Sequence, residues 1–254
     1  MEPGTVEVSS GVFVVAASHT NLVLIRDGDE ITMVDTGYPR DRGLVEAALA
    51  NIGRSLSDVA ALVLTHAHVD HLGSAEWLRT AHGVPVHCHT DEAAHARGDV
   101  IQMISKAALF TRLWNPRVVR FTANAIAKGG LSAERLGEVR TFTSGALIDV
   151  PGRPTAVHTP GHTDGHASLH LTDRGVLITG DALITVDVWN ESRRDPQVIR
   201  APFNHDHEQA YASLHVLAEL DANTIVPGHG RPYHGSPADA VDKALAARRE
   251  ARTA

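Results

Sequence analysis

Apolar positions fall in short runs over the first forty residues, at 6–8, 12–16, 22–26 and 31–35, the last two parted by Asp27-Gly28-Asp29. Runs of this length bounded by turn-forming residues predict β-strands, here an antiparallel meander. The period then changes. Leu44, Ala47, Ala48 and Ile52 recur at helical spacing over 42–52, and a continuous apolar run over 59–65 predicts a buried strand leading straight into His66. A helix over 74–81 and a strand over 84–88 follow. From Glu92 to Gly137 the spacing is helical, through Ile101, Ile104, Ala108 and Leu109 and then Leu113, Val118, Phe121 and Ile126. Pro116 is expected to interrupt this stretch and Gly129-Gly130 to end it.

The 92–137 stretch is too short to bury a core of its own, so it is expected as a helical insertion that either packs on the body or lids a site. Strands are predicted again at 139–142, 146–150, 155–159, 167–171 and 176–179, then a helix over 206–220, a strand over 223–226 and a helix over 237–252. Two β-rich halves, each followed by helices, imply an α+β fold with two sheets packed face to face and helices outside.

The chain has 254 residues, 43% of them hydrophobic and 21% charged, which places it among globular proteins able to build a core without staples. Cys88 is the single cysteine, so no internal disulfide forms and a reducing, cytoplasmic setting is expected. The first ten residues lack a basic flank and an apolar segment, and no apolar run approaches a membrane span; no membrane partner is expected. A net charge of −7 and an aromatic share of 4% argue against nucleic acid. The 17 histidines point elsewhere.

The densest signal is Thr65-His66-Ala67-His68-Val69-Asp70-His71. On a strand His71 would oppose the other three ligand-type residues, and on a helix all four would scatter, whereas a turn at a strand end lets them face one hollow. Imidazole nitrogen and carboxylate oxygen suit zinc and similar borderline cations. Without a cation, crowding these groups at the end of a buried strand would cost several kcal/mol.

With Asp35-Thr36-Gly37, Thr159-Pro160-Gly161-His162, Thr179-Gly180-Asp181 and Pro227-Gly228-His229-Gly230, this loop makes the chain resemble the metallo-β-lactamase fold superfamily from Asp35 to His229. The resemblance implies an αββα sandwich of two mixed sheets, formed by a single domain over 1–254, with the site at one edge. It implies that His66, His68 and His162 hold one divalent ion, that Asp70, His71 and His229 hold a second, and that Asp181 bridges them. Zinc is the expected metal, with iron or manganese as alternatives. Asp35 and His166 would orient ligands rather than bind metal.

Two such ions bridged by solvent would acidify that water into a nucleophile, with Asp70 handling the proton. The expected reaction is hydrolysis of a small carboxylic ester, thioester or lactone, because the 159–169 stretch resembles acyl-homoserine lactonases and hydroxyacylglutathione hydrolases. Ala182-Leu183-Ile184 stands where the lactonases carry a substrate-orienting Tyr, and 185–195 does not match the glutathione-using enzymes. A mononuclear iron persulfide dioxygenase, a β-lactamase and a non-catalytic scaffold are the alternatives. Phe110, Trp114, Ile184, Trp189 and His205 are candidate substrate-lining residues, and a homodimer is left open.

Overall fold

The computed structural model describes residues 4–17, 19–104, 109–187, 189 and 194–253; Ala108 of the predicted helical spacing lies outside them. Seven strands form one sheet in sequence order: β1 (Thr5–Ser9), β2 (Val12–Ala16), β3 (Asn21–Asp27), β4 (Glu30–Val34), β5 (Val59–Val63), β6 (Val86–His89) and β7 (Arg140–Phe142). The first four run antiparallel, and β4 to β7 run parallel. The second sheet runs β12 (Tyr233–His234), β11 (Thr224–Pro227), β10 (Val176–Gly180), β9 (Ala167–Leu171), β8 (Thr155–His158). Only its β10–β11 pair is parallel.

The period of two sorts side chains into layers. Val12, Val14, Val23 and Ile25 meet Leu169, Leu171, Val176 and Ile178 between the sheets. Their neighbours Phe13, Val15, Leu22 and Leu24 face the other way, onto Val45 and Leu49 of helix Arg42–Asn51 and Leu78 of helix Ala75–His82. On the far side Leu177 and Ile225 pack on Leu214 and Leu217 and on Ala240, Val241 and Ala244 of helix Pro237–Thr253. Covering both faces explains why all five residues of β2 are buried. This is the αββα sandwich, with two mixed sheets.

Several element predictions are corrected. Pro116 does not interrupt a helix; it opens the helix Pro116–Ala127, because its fixed φ suits the first turn and the Asn115 side chain accepts from the Arg117 amide at 3.0 Å. Residues 146–150 form no strand; Leu147 makes an isolated bridge to Thr155 while Ile148 and Val150 supply apolar surface to the inter-sheet core. The 206–220 helix is two, His207–Ala212 and Leu214–Ala218, meeting at Ser213. The short strand β12 carries too few residues to show a period. No described helix is long and apolar enough to cross a membrane.

Candidate metal centre

The site forms where strands of both sheets end. β5 runs into His66, β10 into Asp181 and β11 into His229, while the turn after β8 carries His162. The two sheets are tied at this edge by the Asn21 amide, whose Nδ2 donates to the carbonyls of Pro227 (2.8 Å) and Gly230 (2.7 Å), and by the Ala167 N–H, which donates to the Thr65 carbonyl at 2.9 Å. Gly228 allows the close approach: a Cβ there would lie 2.1 Å from Asp181 Oδ1.

All seven sequence-selected ligand residues meet at this edge. His66 Nε2, His68 Nδ1 and His162 Nε2 lie 2.8 to 3.2 Å apart. His71 Nε2 and His229 Nε2 lie 3.8 and 3.6 Å from Asp70 Oδ2. Asp181 stands between the two groups, with Oδ2 3.4 Å from His162 Nε2 and 3.1 Å from His229 Nε2, and Oδ1 3.5 Å from His71 Nε2. Five of the seven are buried, and His68 and Asp70 are partly exposed.

The other nitrogen of every ring faces an oxygen. His66 Nδ1 is 3.1 Å from Thr65 Oγ1, His68 Nε2 is 2.5 Å from the Gln102 carbonyl, and His162 Nδ1 is 3.1 Å from Asn204 Oδ1. His71 Nδ1 is 2.8 Å from Asp35 Oδ2, and His229 Nδ1 is 2.6 Å from the His19 carbonyl. With carbonyls and a hydroxyl at their outer nitrogens, the inner nitrogens of His66, His68 and His162 present lone pairs to one another, an arrangement that calls for a cation. His71 Nε2 and Asp181 Oδ1 are moreover buried with no hydrogen-bond partner. The donor set and these orphaned atoms fit divalent metal ions.

The electrostatics agree. Burial, reinforced by neighbouring imidazoles, pushes the pKa values of His66 and His162 well below the ordinary value. Burial and His95 bring His68 down to about 4. Burial opposes protonation of His71 too, but Asp35, Asp181 and Asp70 outweigh it and raise that ring to about 10. Asp181 is held well below the usual carboxylate range although burial works against its charge, because His229 and His71 flank it. The first trio is therefore neutral and ready to ligate, while the carboxylates raise His71 and, against its burial, His229, so that these two rings hold protons which a cation would displace.

The residues around the ligands fix their aim. Asp35 sits at φ 58°, and its two oxygens accept from the Thr65 amide (2.9 Å), Thr65 Oγ1 (2.8 Å) and His71 Nδ1, joining β4, β5 and the ligand loop. His166 Nε2 accepts from the Asp181 amide at 3.0 Å, and Thr20 Oγ1 donates to Asp70 Oδ2 at 3.0 Å. Glu92 was not singled out from the sequence. Fully buried, it accepts from the Ala67 amide (2.7 Å) and His95 Nδ1 (3.0 Å) on one oxygen, and from Thr163 Oγ1 (2.7 Å) and the Gly165 amide (3.1 Å) on the other. One carboxylate thus pins the His66–His68 loop to the His162 loop. Nothing in the local sequence announces it, since a lone Glu at the start of a helical stretch ordinarily faces solvent.

A cavity opens over the ligands, lined by Tyr38, Met103, Ile104, Leu109, Phe110, Leu113, Phe121, Ile126, Leu131, Ile199 and Phe203 together with His68, Asp70, His162, Asp181 and His229. Of the five candidate substrate residues, Phe110 lines it and four do not. Trp114 is 83% exposed, turned out to solvent beyond the wall. Ile184 is wholly buried, bridging to Gln197. Trp189 packs behind Phe203, ring centroids 4.7 Å apart, and so backs the wall. His205 is exposed, meeting the His162 loop through its backbone amide, which donates to the His162 carbonyl. Tyr38, missed in the sequence, places a buried ring at the cavity, and no described residue accepts from its hydroxyl. Its signal would have been its place directly after Asp35-Thr36-Gly37. A further grouping, His89, Asp91 and His158, lies apart from this cavity; its two rings stack at 4.1 Å and 9°, so their in-plane lone pairs run parallel rather than converge.

The model of the metallo-beta-lactamase superfamily matches residues 16–229. The chain belongs to this superfamily. It is 29% identical over 244 residues to a probable metallo-hydrolase, YflN, of Bacillus subtilis (strain 168), covering 90% of this chain and 87% of that one. It is 28% identical over 180 residues to the acyl-coenzyme A thioesterase MBLAC2 of Homo sapiens, covering 67% of this chain and 61% of the relative. A crystal structure of a metallo-beta-lactamase family protein from Thermus thermophilus superposes with a TM-score of 0.68 at 26% identity, over 96% of this chain and 80% of that one. The metallo-hydrolase relatives and the ligand cluster make this superfamily member a metal-binding hydrolase.

Proposed function

We propose that the protein is a dinuclear hydrolase that cleaves a small carboxylic ester, thioester or lactone. The observation that carries the proposal is the placement of five inward imidazole nitrogens and two carboxylates at the floor of an apolar cavity. In this reading His66, His68 and His162 would hold one divalent cation and Asp70, His71 and His229 the other, with Asp181 available to both groups. Zinc is the first choice, with iron or manganese as alternatives. Such cations supply a water that ionises near neutral pH and a Lewis acid for the substrate carbonyl.

The chain's own groups do the rest. Asp70 faces the cavity and is partly exposed, so it takes up the proton released on attack and returns it to the leaving group. Thr20 holds Asp70 Oδ2 in place by donating to it. The Tyr38 hydroxyl donates to an oxygen of the bound substrate. His166 and Asp35 keep Asp181 and His71 aimed, which spares the site reorganisation during reaction. The thioesterase name of the human relative supports acyl transfer to water as the reaction class.

The test is metal analysis of the purified protein together with a panel of p-nitrophenyl esters, acyl thioesters, acyl lactones, a chromogenic β-lactam and a persulfide with oxygen monitoring. Two metals per chain with turnover of an acyl substrate is the expected result. One iron with oxygen consumption, or turnover confined to the β-lactam, would overturn it.

A further inference from the structure

The cavity over the ligand cluster measures about 520 Å3. Away from the ligands its wall is made of Ile104, Leu109, Leu113, Phe121, Ile126 and Phe203, and among the described residues its lining includes no Lys, Arg or Glu. Two described cations nearby are engaged elsewhere. Arg135 donates to the Ala67 carbonyl and, more weakly, to that of His95, while Arg200 pairs with Asp187 and lies over Trp189 behind the wall. Among the described lining residues a charged acyl tail would meet no Lys or Arg, and it would lose its hydration. Leu113 and Ile126 keep 39% and 49% of their surface exposed, apolar area that an acyl chain would cover.

Resting on the hydrolase reading above, we infer that this cavity selects an uncharged acyl group of medium length, with the reacting carbonyl at the ligand cluster and the chain laid along Ile104, Leu109, Leu113, Phe121 and Ile126. The volume sets the length. A methylene takes up roughly as much space as a water, about 30 Å3, so the cavity has room for about seventeen such groups. Leaving about two-fifths to a half for the carbonyl, leaving atom and solvent gives a chain of about eight to ten carbons, and each methylene that enters should raise kcat/KM roughly fourfold.

The test uses the metal-loaded full chain and p-nitrophenyl esters from acetate to dodecanoate, kept below their aggregation limits, with the p-nitrophenyl monoester of glutaric acid as a charged tail. We expect kcat/KM to rise at least a hundredfold from acetate to octanoate and to level off by decanoate. The glutaryl monoester should fall at least thirtyfold below the hexanoate ester. Leu113→Glu, at a partly exposed position, should cut the octanoate-to-acetate ratio at least tenfold, and Ala125→Phe should move the optimum to shorter chains. Calorimetry with octanamide against acetamide reads the cavity without turnover: octanamide should bind at least tenfold tighter, and less so in Leu113→Glu. A flat chain-length profile, or preference for the glutaryl ester, overturns the inference and leaves acyl hydrolysis standing. Octanamide selectivity without hydrolysis of any ester sustains the apolar cavity and overturns the hydrolase reading. Neither binding nor hydrolysis overturns both.

Discussion

Replacing Glu92 by Gln should loosen the metal centre although Glu92 touches no ligand side chain. The carboxylate accepts four hydrogen bonds, two on each oxygen, from donors on two different ligand loops. An amide turns one oxygen into a donor. If the NH2 lies toward Thr163, that hydroxyl can rotate to accept, but the Gly165 N–H is left facing a donor. If it lies toward His95, the imidazole can change tautomer, and the Ala67 N–H is orphaned. Either way one buried backbone donor is lost, at about 1 to 3 kcal/mol, and the surviving bonds lose their charge assistance. A total of about 3 kcal/mol corresponds to a fall in Tm of about 6 to 10 °C for a chain of this size. Freed from each other, the two loops should also bind metal about 10 to 100 times more weakly. Urea unfolding and a competition titration against a chromophoric chelator measure the two effects. Glu76→Gln, which disturbs a partly exposed pair with Arg79, serves as control. A stability change under about 1 kcal/mol with metal affinity intact would refute the role given to Glu92.

The pKa of Glu92 is lowered: burial opposes its charge, but the bonds from His95, Thr163 and Ala67 outweigh that. Its stabilisation is therefore present above the ordinary carboxylate value and is lost as pH falls through the lowered one, so acid unfolding of the wild type should be steeper below about pH 4.5 than that of Glu92→Gln. Asp70→Asn should retain most of the metal while hydrolysis drops about a hundredfold or more, by steady-state kinetics beside elemental analysis. His229→Ala should lower metal content by about one ion per chain. Gly228→Ala should cost metal rather than fold, since its Cβ would enter the space of Asp181 Oδ1; an unchanged metal content would contradict the cradle described here. Cys88 is fully buried and burial raises its thiol pKa, so a thiol reagent at pH 8 should modify it only on unfolding.

Much of the fold was legible because strands carry their pattern locally: β2, buried on both faces, is a continuous apolar run and β9 alternates apolar residues with Ser168 and His170, and both begin and end where the sequence puts them. The 146–150 run misled because two of its apolar residues, Ile148 and Val150, reach the inter-sheet core without a ladder partner. Pro116 misled because a proline reads the same whether it breaks a helix or begins one, and only the Asn115 cap decides between them. Trp189 and Phe203 show the same divide at the cavity. An aromatic near the ligand motifs looks like lining, yet Trp189 stands in the second layer and Phe203, passed over in the sequence, faces the space.

The sequence by itself determined the superfamily, the layered sandwich and which imidazoles and carboxylates cluster, because each of these is written in local spacing or in short motifs at strand ends. Only the tertiary structure decided that Glu92 pins two ligand loops, that Tyr38 turns its ring to the cavity and that the described residues lining that cavity include no Lys, Arg or Glu. Those relations join residues tens of positions apart, and hydrogen-bond geometry and cavity shape arise from packing, which leaves no periodic trace in the chain.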